Sequence, residues 1–136
     1  MDAELNRRNT LDAVDAFNAG DLDRYLASYA PYAVIHGLPE HLPPTVAGHR
    51  EFLTAMRAAL PDFKAEVHTL IVENDTSAAR LTYTGTHRGV LQGVPPTGRR
   101  LRWDAMNFRR FNDEGLTVER WILNDNIALL HQLGRV

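Results

Sequence analysis

Asp125 stands in "ILNDNIALL", at the end of the last strand-like run, where alternation from Trp121 and Leu123 puts it on the face that those two residues share. A carboxylate among apolar neighbours loses water, and desolvation raises its pKa toward the range useful for general acid-base work. The plainer alternative is a turn or cap aspartate satisfied by backbone donors. His36 closes "YAVIH" and faces a proline-rich loop; it either hydrogen-bonds a substrate carbonyl, holds Asp125 in place, or is a satisfied structural histidine. Trp103, Asn107 and Arg109 fall on one face of a strand with period two. With that face inward, Trp103 is a pocket wall and Arg109 either binds a carboxylate or phenolate or pairs with an acid elsewhere. Tyr83 and His87 share a face in the preceding run unless its glycines break the parity. Tyr83 is a pocket hydroxyl or an interface tyrosine, and His87 touches ligand or holds the hairpin. Phe52 and Met56 lie on the apolar side of a helix, as core that also walls a pocket.

Helices come first in the chain that must position these groups. Leu5, Leu11, Val14 and Phe17 recur near helical spacing, with Asp2 as N-cap and Gly20 as stop. "DLDRYLASYA" predicts a second short helix halted at Pro31, and "YAVIH" a brief buried strand. "GLPEHLPPTVAG" is a loop, since its three prolines suit neither helix nor central strand. "HREFLTAMRAAL" predicts a third helix, stacking Phe52, Leu53, Met56 and Leu60 on one side. Four strand-like runs follow at 63–73, 77–92, 99–111 and 116–127, with "ENDTS" and "NDEG" as turn signals. Within "GTHRGVLQGVPPTGRRLRW", Gly85, Gly89 and Gly93 permit bends, while Pro95, Pro96 and Gly98 build a rigid turn. The order predicts a single α+β domain over residues 1–136: a curved mixed or antiparallel sheet wrapped around three helices of the N-terminal half. Such a sheet makes a cone with an open end, and its inward residues line a pocket.

Composition narrows the partner. A chain of 136 residues buries a core without staples. Fifteen basic residues against seventeen acidic ones give a net charge of -2, so no whole-molecule field points to nucleic acid or an anionic membrane. The absence of cysteine excludes disulfides and thiolate chemistry and fits a reducing compartment. No apolar run approaches the roughly 18 residues of a membrane span, and "MDAELNRRNT" lacks the apolar core of a signal peptide, so a cytoplasmic location is expected. The six histidines, at positions 36, 41, 49, 68, 87 and 131, show no HxH or HExxH spacing, so no metal is expected. "GVPPTG" lacks the lysine and helix of a phosphate loop, "GRRLR" reads as a solvated basic turn, and no nucleophile elbow is present.

"GTHRGVLQGVPPTGR", followed by Trp121, Asp125, Leu129, Leu130, Gln132, Leu133 and Gly134, resembles the SnoaL-like polyketide cyclase (ester cyclase) family, within the cone-shaped nuclear-transport-factor-2-like superfamily. The resemblance runs from about residue 10 to the end and takes in "YAVIH" and "LPDF". It implies that the aspartate at Asp125 is the acid-base residue of an intramolecular aldol closure on a polyketide-like ester, and that His36 belongs to the pocket. "NFRRFNDEG" further resembles ketosteroid isomerases, whose oxyanion-donating aspartic acid is matched here by Asn107. An amide also donates to an enolate but cannot ionise, which speaks against steroid isomerisation while keeping a site.

The expected function is therefore a cofactor-free enzyme on a small, largely apolar carbonyl compound: Asp125 removes an acidic proton, and His36 or Asn107 holds the enolate. An epoxide hydrolase or isomerase in the same pocket is the nearer rival, with Asn107, Arg109 and Asp125 holding a water. A binding protein without chemistry is the farther one. Family analogy adds a homodimer or higher homo-oligomer.

Overall fold

In the computed structural model, which describes residues 2–135, helices α1 (Ala3–Asn18) and α2 (Leu22–Leu26) precede strand β1 (Tyr29–His36) and helix α3 (Val46–Ala59). Strands β2 (Lys64–Glu73), β3 (Thr76–Thr86), β4 (Arg100–Phe111) and β5 (Thr117–Asn124) follow, and helix α4 (Asn126–Gln132) closes the chain. The five strands form one sheet in the order β1-β5-β4-β3-β2, antiparallel except where β1 runs parallel to β5. This is the expected α+β cone.

Local chemistry accounts for the element boundaries. Asp2 caps α1 by accepting from Leu5 N at 3.0 Å, and Thr45 caps α3 through Gly48 N at 3.1 Å. The buried stripe of α1 is smaller and more polar than the spacing of its leucines predicts: Thr10, Ala13, Ala16 and Phe17 face inward, while Leu11 is exposed. Small side chains bring this helix close to β2, where Asn18 exchanges two hydrogen bonds with the Ala65 backbone at 2.8 and 2.9 Å.

Three expectations need correction. The second helix is a five-residue turn, and Pro31 lies inside β1 instead of stopping a helix. An edge strand tolerates it, because its register with β5 breaks between Tyr29 and Val34. The run at 77–92 leaves the sheet at Thr86, so the glycine-rich segment is a loop that folds back on α3, with Arg88 N and Gly89 N both donating to Ala59 O. The last strand ends at Asn124, since Asp125 starts a helix absent from the sequence reading.

Candidate active site

Strand β4 sets the inner face of the cone. From Leu101 to Phe111 every odd residue is buried and every even one exposed, so Trp103, Asn107 and Arg109 all point inward. On β5 the inward residues are Arg120, Ile122 and Asn124, whereas Trp121 and Leu123 are 41% and 75% exposed on the outer face. Arg120 is 4% exposed.

A cavity of about 760 Å³ occupies the space between this inner face, α3 and α4. Its volume falls within the roughly 300–1,000 Å³ of small-molecule sites. Phe63, Tyr83 and Trp103 form one wall, with Phe63 stacked on Trp103 at 5.8 Å and Tyr83 tilted against Trp103 at 5.7 Å between ring centroids. Phe52, Leu53 and Met56 from α3 form the opposite wall, and Leu129 and Leu130 of α4 complete the apolar lining.

Besides Glu40, His41, Glu51 and Gln92, polar groups meet this cavity in two places. The first is a buried cluster. Arg120 Nη1 donates to the hydroxyls of Tyr25 and Tyr29 at 2.7 and 2.9 Å; those hydroxyls lie 2.9 Å apart, and Tyr25 is also 2.9 Å from His49 Nε2. Tyr25, His49 and Arg120 all line the cavity. Burial, with Arg120 and Arg109 nearby, holds His49 well below its ordinary 6.5, so the imidazole is neutral at pH 7. Burial raises the Tyr25 hydroxyl against the opposing field of Arg120. For Tyr29 burial pulls upward too, but the fields of Arg109 and Arg120 outweigh it and lower the pKa below 10.0. Burial disfavours the Arg120 charge, yet Tyr25 and Tyr29 hold it more firmly protonated than usual.

The second polar place adjoins α4. Trp103 Nε1 donates to Asn124 Oδ1 at 3.2 Å, which fixes the amide orientation because indole can only donate. The Asn124 NH₂ is left without a protein acceptor among the described residues. Asn124 and Asn126 both line the cavity, and Asp125 sits between them in sequence. Asp125 Oδ1 accepts from Ala128 N at 3.0 Å as the N-cap of α4, leaving Oδ2 without a protein donor among the described residues.

Several sequence expectations change with this geometry. Asp125 shares the face of Trp121 and Leu123 as predicted, but that face is the outer one, so Asp125 is exposed and capped instead of desolvated among apolar side chains. His36 belongs to the outer face: its Nε2 lies 2.7 Å from Glu119 Oε2 and its ring stacks on Trp121 at 5.3 Å. None of Asp125, His36 and Trp121 lines the cavity. Asn107 and Arg109 point inward but line a separate void of about 30 Å³ beneath α1, where Arg109 donates to Thr117 Oγ1 at 3.0 Å and packs over the Tyr29 ring. The trio Asn107, Arg109 and Asp125 is therefore not brought together around one water. His87 is fully buried in the hairpin, with Nδ1 accepting from Thr97 N at 3.3 Å, and it does not line the cavity. Tyr83, Trp103, Phe52 and Met56 do line it.

Tyr25, His49, Arg120 and Asn124 were missed as a set. His49 stands four and seven residues before Leu53 and Met56, on their face of α3, and this spacing was available in the sequence. Arg120 follows once Trp121 is placed outside.

The SnoaL-like polyketide cyclase profile matches residues 8–133. The crystal structure of AclR, a proposed hydroxylase from Streptomyces galilaeus, superposes with a TM-score of 0.90 at 31% identity over 99% of both chains. Wild-type IdmH, a proposed polyketide cyclase from Streptomyces antibioticus, gives 0.81 at 36% identity over 95% of this chain and 98% of its own. TsrD from Streptomyces laurentii gives 0.86 at 25% identity over 100% and 99%. None of the curated proteins compared matches the sequence.

Proposed function

The chain belongs to the SnoaL-like polyketide cyclase family, and from that premise we propose that it closes a ring on a polyketide-like carbonyl compound by an aldol-type step at the α4 end of the cavity. Asp125 Oδ2 takes the acidic proton between two carbonyls, and the Asn124 amide donates to the enolate oxygen that develops. The enolate carbon then attacks a second carbonyl of the same chain. One carbon-carbon bond forms, and the new alkoxide recovers the proton held by Asp125.

The observation that carries this proposal is the Trp103 to Asn124 hydrogen bond, which holds an amide donor on the cavity lining one residue from a carboxylate with a free oxygen. Asp125 is exposed and lies outside the cavity lining, so in this proposal the reacting end of the substrate extends past Asn124 and Asn126 to reach Oδ2 and covers it from water. Aromatic walls orient a flexible chain so that its reacting carbons meet, a contribution separate from proton transfer.

A second choice of base is favoured by one observation: neutral His49 lines the same cavity. Deuterium uptake at the activated methylene of an aromatic β-keto ester in D₂O tests the proton step without requiring the natural substrate. Uptake above buffer that is lost in Asp125→Asn supports Asp125 as the base. Uptake at the buffer rate by the wild type, although the ester binds, leaves a protein that binds ligands without enolising them.

Exposed Met106, Phe108, Trp121 and Leu123 form a contiguous apolar surface on β4 and β5, for which we propose a second copy of the chain as the cover. Among the described residues no helix is long and apolar enough to cross a membrane.

A further inference from the structure

Arg109 and Arg120 are 3% and 4% exposed, and no aspartate or glutamate is buried among the described residues. Neither guanidinium takes part in an ion pair. The hydrogen-bond partners of Arg120 are two phenol hydroxyls, and that of Arg109 is a threonine hydroxyl. Arg120 Nε is buried with no partner at all. Buried cations are ordinarily balanced by an anion, because desolvating an unpaired charge is expensive. Two such cations within reach of one tyrosine pair, with no buried acid and with the cavity's two glutamates, Glu40 and Glu51, exposed to solvent, leave the balance to a molecule from outside.

Only one of the two arginines can receive it. Arg109 lies beneath α1 beside a void of about 30 Å³, too small for an organic ligand, whereas Arg120 also lines the cavity of about 760 Å³. At that end the cavity offers Tyr25, His49 and Arg120, and its walls are the packed rings of Phe63, Tyr83 and Trp103. Resting on the cavity's role proposed above, we infer that the ligand is a flat, largely apolar carboxylic acid bound as its carboxylate against Arg120 and Tyr25, and that the free acid is bound in preference to its ester. The carboxylate then anchors one end of the molecule while Asn124 and Asp125 meet the other. Anchoring by a group that does not react sets which methylene reaches Asp125.

Calorimetric binding of 2-naphthoate and of methyl 2-naphthoate, at neutral pH and equal ionic strength, tests the inference without turnover. Its failure is thus separable from failure of the cyclase proposal, which the deuterium exchange reads. The naphthoate is expected to bind at least about tenfold more tightly than the ester, the scale of one charge-assisted hydrogen bond. Arg120→Lys keeps part of that preference, and Arg120→Gln loses it while still binding the ester. Should the Arg120 variants fail to fold, Tyr25→Phe keeps the ring and is expected to narrow the preference. Equal binding of acid and ester by the wild type overturns the inference. So does a phenolate absorbance band at neutral pH that disappears in Tyr29→Phe, since the interior charge is then balanced by the protein itself.

Discussion

Trp103 and Asn124 are joined by a 3.2 Å hydrogen bond from indole to amide oxygen, linking β4 to β5 at the level where β5 gives way to α4. In the folded sheet both point to the inner face of the cone, and the bond turns a freely flipping amide into a fixed donor. Trp103→Phe keeps most of the wall and removes only that restraint. Exchange of the β-keto ester methylene is expected to slow by about tenfold, or ~1.4 kcal/mol of transition-state stabilisation, with little change in KM. A change confined to KM contradicts a positioning role for Trp103.

His49 makes folding sensitive to mild acid. Its folded pKa is depressed below 6.5, so as pH falls through that value the unfolded chain takes up a proton that the folded one refuses. Stability is therefore full above about pH 6.5 and declines below it until the folded pKa is reached. Urea midpoints measured downward from about pH 8 are expected to show this slope, and His49→Gln to flatten it. Glu119 titrates in a lower window. His36 and Arg110 hold its carboxyl below 4.5, so its contribution is present above that value and is lost only as pH falls past it.

Much of the fold was legible because β4 is regular. Its strict alternation places Trp103, Asn107 and Arg109 on one face, and that face is the inner one. Strand β5 misleads for a physical reason. Its large apolar residues Trp121 and Leu123 point outward into a surface patch, while the inward positions beside them are Arg120, a half-buried Ile122 and Asn124. Hydrophobicity then assigns the wrong face to every residue in the strand, and His36, paired in register with Trp121, goes with it. The capping role of Asp125 follows from a short helix whose first residues continue the strand's apolar pattern. Arg120 with Tyr25 and Tyr29 was not legible at all, since those partners are 95 and 91 residues apart in the chain.

The outer apolar face gives a prediction about assembly. Leu123 is 75% and Phe108 54% exposed, so Leu123→Glu and Phe108→Glu remove no core contact. Light scattering after size exclusion is expected to show a dimer for the wild type and a monomer for either variant, with unchanged far-ultraviolet circular dichroism. A monomeric wild type at micromolar concentration contradicts the pairing.

The glycine-rich loop supports the cavity from below. A Cβ on Gly89 would lie 2.7 Å from the backbone oxygen of Ala58, and neither backbone can yield easily because Gly89 N is bonded to Ala59 O. Gly89→Ala is expected to cost about 1–3 kcal/mol and to displace Leu91 from the cavity wall. Thermal unfolding, together with the affinity for the methyl ester probe, checks both effects.

The most direct test of the proposed chemistry sets the two possible bases against each other in one assay. Deuterium uptake by the β-keto ester is measured for the wild type, Asp125→Asn and His49→Gln under identical conditions. Proton abstraction at the α4 end of the cavity predicts uptake near the buffer rate in Asp125→Asn and clear enzymatic uptake in His49→Gln. Full activity in Asp125→Asn with loss in His49→Gln contradicts it and moves the base to the buried cluster of Tyr25, His49 and Arg120.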